Sequence, residues 1–201
     1  MRPEDAATQD VWRLFVAVDL PDDVKQRMQI IREVLQRAGW RGRWTKPETM
    51  HLTLRFFGNR PVESVRNLAD ELRSSVANEV TFKLRTGVMG AFPNARRPRV
   101  IWLGVGDPSG MLSRIASAIE QRSREMGLEP EERPFSPHLT VARVQPEDRE
   151  TITNIDRHFE DLDRLKPLQI AVDHITLYRS ELNRSGSIYT VVKQIDFEAD
   201  T

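Results

Sequence analysis

The spacing of apolar and polar positions changes several times along the 201 residues, and each change predicts an element. Val11 to Val18 is a continuous apolar, β-branched run, the signature of a mostly buried strand. Pro21-Asp22-Asp23 then opens a helix, with proline at the first turn and acids at its positive end; Val24, Met28, Ile31 and Leu35 form its apolar stripe and Gly39 its stop. Residues 41–45 read as a short strand and Pro47-Glu48 as a turn into a strand around His51, which Gly58 and Pro61 end. Val65, Leu68, Ala69, Leu72 and Val76 share one face of a second helix. A strand at 81–88 follows, then a loop at 90–99 dense in proline and arginine, a strand at 100–105, and a helix at 108–126 carrying Leu112, Ile115 and Ile119 and stopped by Gly127. Beyond a strand at His138 the pattern predicts a weaker helix at 146–159. Two last strands, 168–178 and 188–195, are joined through Asn183-Arg184-Ser185-Gly186. Residues 1–10 are polar and aperiodic and predict a flexible end; 11–201 read as one two-lobed domain.

Strand, helix and further strand recur in both halves. This predicts an α+β, pseudo-duplicated fold: two mainly antiparallel sheets, helices outside, and a central cleft. A doubly wound parallel sheet competes, but no strand-to-helix turn carries the glycine-rich phosphate loop common in that architecture.

Within this framework one stretch repeats. Met50-His51-Leu52-Thr53-Leu54-Arg55-Phe56 returns as Pro137-His138-Leu139-Thr140-Val141-Ala142-Arg143. On a strand, His and Thr two residues apart share one face while their apolar neighbours enter the core. A single histidine so placed is more often a structural residue. Repetition argues otherwise, since three of the four histidines, His51, His138 and His174, have Thr two positions later. Two imidazoles and two hydroxyls around one groove suit an anion whose bond breaks between an acid and a base, a phosphodiester above all.

Composition narrows this further. Lys plus Arg and Asp plus Glu both number 30, so bulk charge does not draw the chain to nucleic acid and any phosphate recognition is local. With no cysteine, disulfides and thiolate chemistry are excluded. No apolar run is long enough to span a membrane, and the expected setting is cytoplasmic.

The ordered set of segments resembles the two-histidine phosphoesterase superfamily, and more narrowly the RNA 2′,3′-cyclic phosphodiesterases once called 2′-5′ RNA ligases. It comprises Arg13-Leu14-Phe15-Val16-Ala17, the segment His51 to Gly58, Gly90-Ala91-Phe92-Pro93, the segment Arg97 to Gly104, the segment Arg133 to Arg143, and Leu177-Tyr178-Arg179-Ser180. Phe57 stands where that family usually has leucine. The resemblance implies hydrolysis of a ribose 2′,3′-cyclic phosphate to a 2′-phosphate. It implies His51 as acid to the 3′ oxygen, His138 as base to water, Thr53 and Thr140 on phosphate oxygens, and neither metal nor other cofactor. Arg143 would be a further phosphate contact if a local irregularity returns it to the face of Thr140, and otherwise a surface ion-pair residue. Phe56 would pack on the substrate base or else in the core. The implied partners are RNA ends or nucleotides carrying the cyclic phosphate, with no membrane and no obligatory protein partner evident. Two rivals remain: joining RNA ends through a 2′-5′ bond, and a module that binds RNA ends without turnover. His174 is expected outside the catalytic pair and His158 to be a capping or surface residue; the Arg96-Arg97-Arg99 loop is either an anion-contacting rim or simply solvated.

Overall fold

The computed structural model describes residues 10–183 and 186–198. Residues 1–9 of the flexible end expected at 1–10, and the two central residues of the last hairpin loop, lie outside the described residues. Among the described residues, nine strands and four α-helices follow in the order β1 Val11–Val18, α1 Asp22–Arg37, β2 Arg43–Trp44, β3 Leu52–Pro61, α2 Val65–Ser75, β4 Phe82–Phe92, β5 Val100–Gly106, α3 Met111–Glu125, β6 His138–Arg143, α4 Ile155–Asp163, β7 Gln169–Val172, β8 His174–Asn183 and β9 Gly186–Asp196. They form two sheets, ordered β3-β1-β8-β9 and β2-β6-β5-β4-β7, and every named strand pair is antiparallel. The doubly wound alternative is thereby ruled out.

The helices follow their stripes. In α1 the buried residues are Val24, Met28, Ile31 and Leu35, and at the first turn the Val24 N–H donates both to the Pro21 carbonyl and to Asp23 Oδ1. Each such apolar side chain contributes roughly 1.5–3 kcal/mol relative to exposure. α1, which follows a strand of the first sheet, contacts β6 of the second, while α3, which follows a strand of the second, contacts β3 of the first. One contiguous apolar cluster joins both lobes.

Several boundaries differ from the expected ones, each for a local reason. β3 runs past Gly58 to Pro61, because Gly58, at φ +69, sits in a bulge that bends the strand without ending it. Gly90, Ala91 and Phe92 belong to β4 rather than to the arginine-rich loop: they pair with Trp102, Ile101 and Val100, and a Cβ on Gly90 would lie 2.2 Å from the Trp102 ring. Thus Gly90 is where the indole lies across the neighbouring strand. The expected helix at 146–159 divides into a 3-10 segment, Pro146–Thr151, and α4, separated at Asn154 with φ 51. The expected strand at 168–178 divides at Asp173 into β7 of one sheet and β8 of the other. The short strand predicted at 41–45 shrinks to Arg43-Trp44 at a sheet edge, and α3 begins three residues later than expected, after a turn in which Asp107 accepts from the Ser113 N–H.

Candidate active site

Both repeated motifs reach the same cleft by the same local construction. The 3-10 turn Pro47–Thr49 sets the Thr49 carbonyl 2.9 Å from His51 Nδ1, and the extended stretch before β6 sets the Ser136 carbonyl 2.7 Å from His138 Nδ1. A carbonyl only accepts, so in both rings Nδ1–H donates and Nε2 is left as the nitrogen that can gain or lose a proton. Two residues on, Thr53 and Thr140 follow on the same face. Neither hydroxyl has an intramolecular partner among the described residues.

A β-bulge then follows in each strand. The β1–β3 register slips so that Val16 faces Arg55 and Ala17 faces Thr53, leaving Leu54 unpaired; the β5–β6 register slips so that Ile101 faces Ala142 and Trp102 faces Thr140, leaving Val141 unpaired. Simple alternation would turn the third residue after each threonine to the opposite face, and the extra residue brings it back. This is the irregularity that Arg143 required. Its counterpart in the other half is Phe56, half exposed rather than in the core. The Val141 carbonyl, freed from the ladder, accepts from Thr45 N–H at 2.9 Å.

The two halves enclose a cavity of about 110 Å³ lined by His51, Thr53, Phe56, His138, Thr140, Arg143, Thr45, Thr49, Met50, Leu139 and Tyr189. No carboxylate is among the lining residues and Arg143 is, a lining compatible with an anion. A wider trough of about 520 Å³ opens beside it, sharing Thr53, Phe56 and His138.

The surroundings of the two imidazoles differ. Phe56, Phe15 and Tyr178 lie opposite one another across β3, β1 and β8. Phe15 is 1 % exposed yet outside the main apolar cluster; it supports His51 at a centroid distance of 4.6 Å, while Tyr189 meets the imidazole edge-on at 5.1 Å. Burial in this aromatic box lowers the His51 pKa below its ordinary value, opposed by the Thr49 hydrogen bond and the negative charge of Asp19. His138 instead packs edge-on to Phe92 at 5.1 Å and beside Trp102 at 6.3 Å. Sequence reasoning missed Tyr189 and the role of Phe15. The chain has only two tyrosines, 178 and 189, and both end beside His51, but rarity alone is a weak signal.

The third His-x-Thr pair lies outside the cavity. His174 Nε2 and Thr176 Oγ1 both bind the Asp19 carboxylate, at 3.1 and 2.7 Å, and the Tyr178 hydroxyl donates to it as well. Burial alone would raise the Asp19 pKa, but hydrogen bonds from His174, Tyr178 and Thr176 bring it down to about 2. The Asp19 hydrogen bond raises His174 to about 9, against the effect of burial and with help from Asp173. His158 packs its ring edge-on against Trp40 at 5.5 Å and caps no helix end. None of Arg96, Arg97 and Arg99 lines the cavity; Asn94 Oδ1 organises their loop by accepting from the Arg96 and Arg97 N–H groups.

Two antiparallel lobes, each presenting a carbonyl-anchored histidine, a threonine and a bulge-returned side chain to one cleft, define a two-histidine phosphoesterase architecture. The model of the 2'-5' RNA ligase superfamily matches residues 20–184, and the chain belongs to that family. It is 32% identical over 179 residues to the RNA 2',3'-cyclic phosphodiesterase of Methanothermobacter thermautotrophicus, covering 89% of this chain and 95% of that protein. The RNA 2',3'-cyclic phosphodiesterase of Thermotoga maritima is also 32% identical, over 188 residues, with 92% and 96% covered. Among solved structures, TT0787 of Thermus thermophilus superposes with a TM-score of 0.75 at 27% identity, covering 94% of this chain and all of that one. Escherichia coli LigT complexed with 3'-AMP superposes at 0.70 and 27% identity, with 94% and 99% covered.

Proposed function

We propose that the chain hydrolyses the 2′,3′-cyclic phosphate of an RNA end or nucleotide to a 2′-phosphate, with His51 and His138 as its acid–base pair. The observation that carries this is the convergence, in one cavity free of carboxylates, of two histidines anchored through Nδ1 with two unpartnered threonine hydroxyls and Arg143. The relatives' names point to the same substrate.

In-line displacement at phosphorus needs the entering and leaving oxygens on opposite sides. Nε2 of His138 takes a proton from water as its oxygen bonds to phosphorus. Nε2 of His51 gives a proton to the ribose 3′ oxygen as the phosphorus–O3′ bond breaks, and the phosphate stays on O2′. Thr53, Thr140 and Arg143 hold the non-bridging oxygens, whose charge grows in the transition state. Phe56 flanks the nucleobase. Imidazole is the side chain suited to this exchange, since its unperturbed pKa of about 6.5 lets both protonation states occur near neutrality. Burial lowers the His51 pKa, and a phosphate anion beside the ring would favour its protonated form.

The scheme assigns no step to a metal, and histidine beside threonine is a poor zinc donor set. No helix is long and apolar enough to cross a membrane among the described residues. Turnover of a nucleoside 2′,3′-cyclic phosphate after exhaustive chelation tests the reading. We expect the rate to be unchanged, and a loss restored by added zinc or manganese would overturn the two-histidine scheme.

A further inference from the structure

Arg143 has a neighbour that the catalytic scheme leaves unused. Arg43 lies directly opposite it in the β2–β6 pair, so both guanidinium groups leave the same face of the sheet side by side. Both are exposed, and neither has an acidic partner among the described residues. Like charges at directly opposed positions destabilise a sheet, so local structure gives no reason for this pair.

The chain is nevertheless shaped to create it. β2 is only two residues long and is brought against β6 by Gly42, where a Cβ would stand 3.0 Å from the Arg143 carbonyl oxygen. Just upstream, the buried Trp40 donates its indole N–H to the Thr153 carbonyl, and Arg41 N–H donates to Thr151 Oγ1. Arg43 is thus held beside Arg143 by a fixed backbone, although its own side chain does not line the catalytic cavity. A second anion next to the one in the cavity would turn the repulsion into attraction.

We propose that Arg43, adjoining Arg143, binds the backbone phosphate on the 5′ side of the terminal nucleotide, making this site selective for RNA ends over free nucleoside cyclic phosphates. The inference rests on the cyclic-phosphate reading above, and on this geometry the strand leaves the catalytic cavity across the β2–β6 edge. A planar fork at each position suits phosphate oxygens better than ammonium groups would.

The test compares a nucleoside 2′,3′-cyclic phosphate with a short RNA ending in the same group, using the unsubstituted protein, Arg43→Gln and Arg43→Lys. Arg43→Gln should lose roughly threefold to tenfold in kcat/KM on the RNA and leave the nucleoside substrate unaffected, the scale of one exposed charge contact. The salt dependence of RNA binding should fall by about 0.7 in log–log slope, the value for one phosphate on a single strand. Arg43→Lys should keep most of the RNA preference, and Arg43→Gln should melt no lower than the unsubstituted protein because it removes a like-charge pair. Equal loss on both substrates would overturn the proposal by placing Arg43's effect in the chemistry, and no change on either would also overturn it. Equilibrium binding of the same RNA bearing a 3′-phosphate reads the subsite without turnover. If the unsubstituted protein hydrolyses neither substrate, the catalytic reading fails, while an unchanged binding affinity and salt slope in Arg43→Gln would separately overturn the subsite.

Discussion

The half built around His51 and the half built around His138 share a backbone device and differ in what surrounds it. In both, a carbonyl two residues upstream fixes Nδ1, a threonine follows two residues later, and a bulge returns the next side chain to the cleft. The differences lie in the side chains at that device. The bulge returns Phe56 in one half and Arg143 in the other. His51 is enclosed by Phe15 and Tyr189, whereas His138 meets Phe92 and Trp102. At the position before, Arg55 is buried and ion-paired with Glu120, and its Nη2 donates to the Glu129 carbonyl at 2.7 Å; its counterpart is Ala142. Glu129 lies in the segment leading to His138, so the first half holds the approach to the second. In the proposed mechanism, duplicated anchoring supplies the two proton-transfer groups and unequal surroundings let them take different roles.

The largest expected effects test the shared part. His51→Ala and His138→Ala should each lower turnover by roughly a hundredfold or more, the scale of a general acid or base, and the double variant should lose little beyond that because the pair acts as a unit. Near-normal activity in either single variant would refute the pairing. The unequal part shows when the leaving group is improved: a better leaving group should rescue the variant lacking the acid, His51→Ala, and not the other. Rescue of His138→Ala would exchange the two roles.

A smaller effect is expected at the threonines. Thr53→Val and Thr140→Val keep the branched shape and remove the hydroxyl, and each should cost roughly tenfold or more in kcat, as the loss of one hydrogen bond to a charged oxygen that strengthens at the transition state does. Similar losses would confirm that the two halves hold the phosphate alike; a loss confined to one would confine that contact to one half.

The smallest effect on activity belongs to the third pair. His174→Ala should leave turnover nearly intact and reduce stability in a pH-dependent way. The folded His174 titrates near 9, above its ordinary value, so the stability it contributes is fully present below about pH 6.5 and disappears as pH rises through about 9. Melting temperatures of the two proteins should therefore differ most near pH 6 and converge above pH 9. A difference that grows with pH would reverse the assigned protonation.

This third pair also shows what was legible in the sequence. The letters His-x-Thr identify a strand face able to hold an anion, but not which anion. At His174 and Thr176 the anion is Asp19, distant in sequence and brought near because β1 and β8 pair. Helix stripes such as Val24, Met28, Ile31 and Leu35 were readable because burial follows a local period. The division of residues 168–178 was less readable: Ile170 and Val172 alternate on one parity and Ile175 and Leu177 on the other, and the change of sheet falls between them. Tyr189 escaped for the same reason as Asp19, since its place beside His51 depends on how β8 and β9 pair.

The most direct test of fixed in-line geometry between His51 and His138 is the phosphorus NMR spectrum of the product. Only the ester oxygen within about 2.6–3.2 Å of the acid is protonated as it leaves. A ribose 2′,3′-cyclic phosphate should therefore give a single resonance, that of the 2′-phosphate; a 3′-phosphate, or a mixture of the two isomers, would contradict the arrangement.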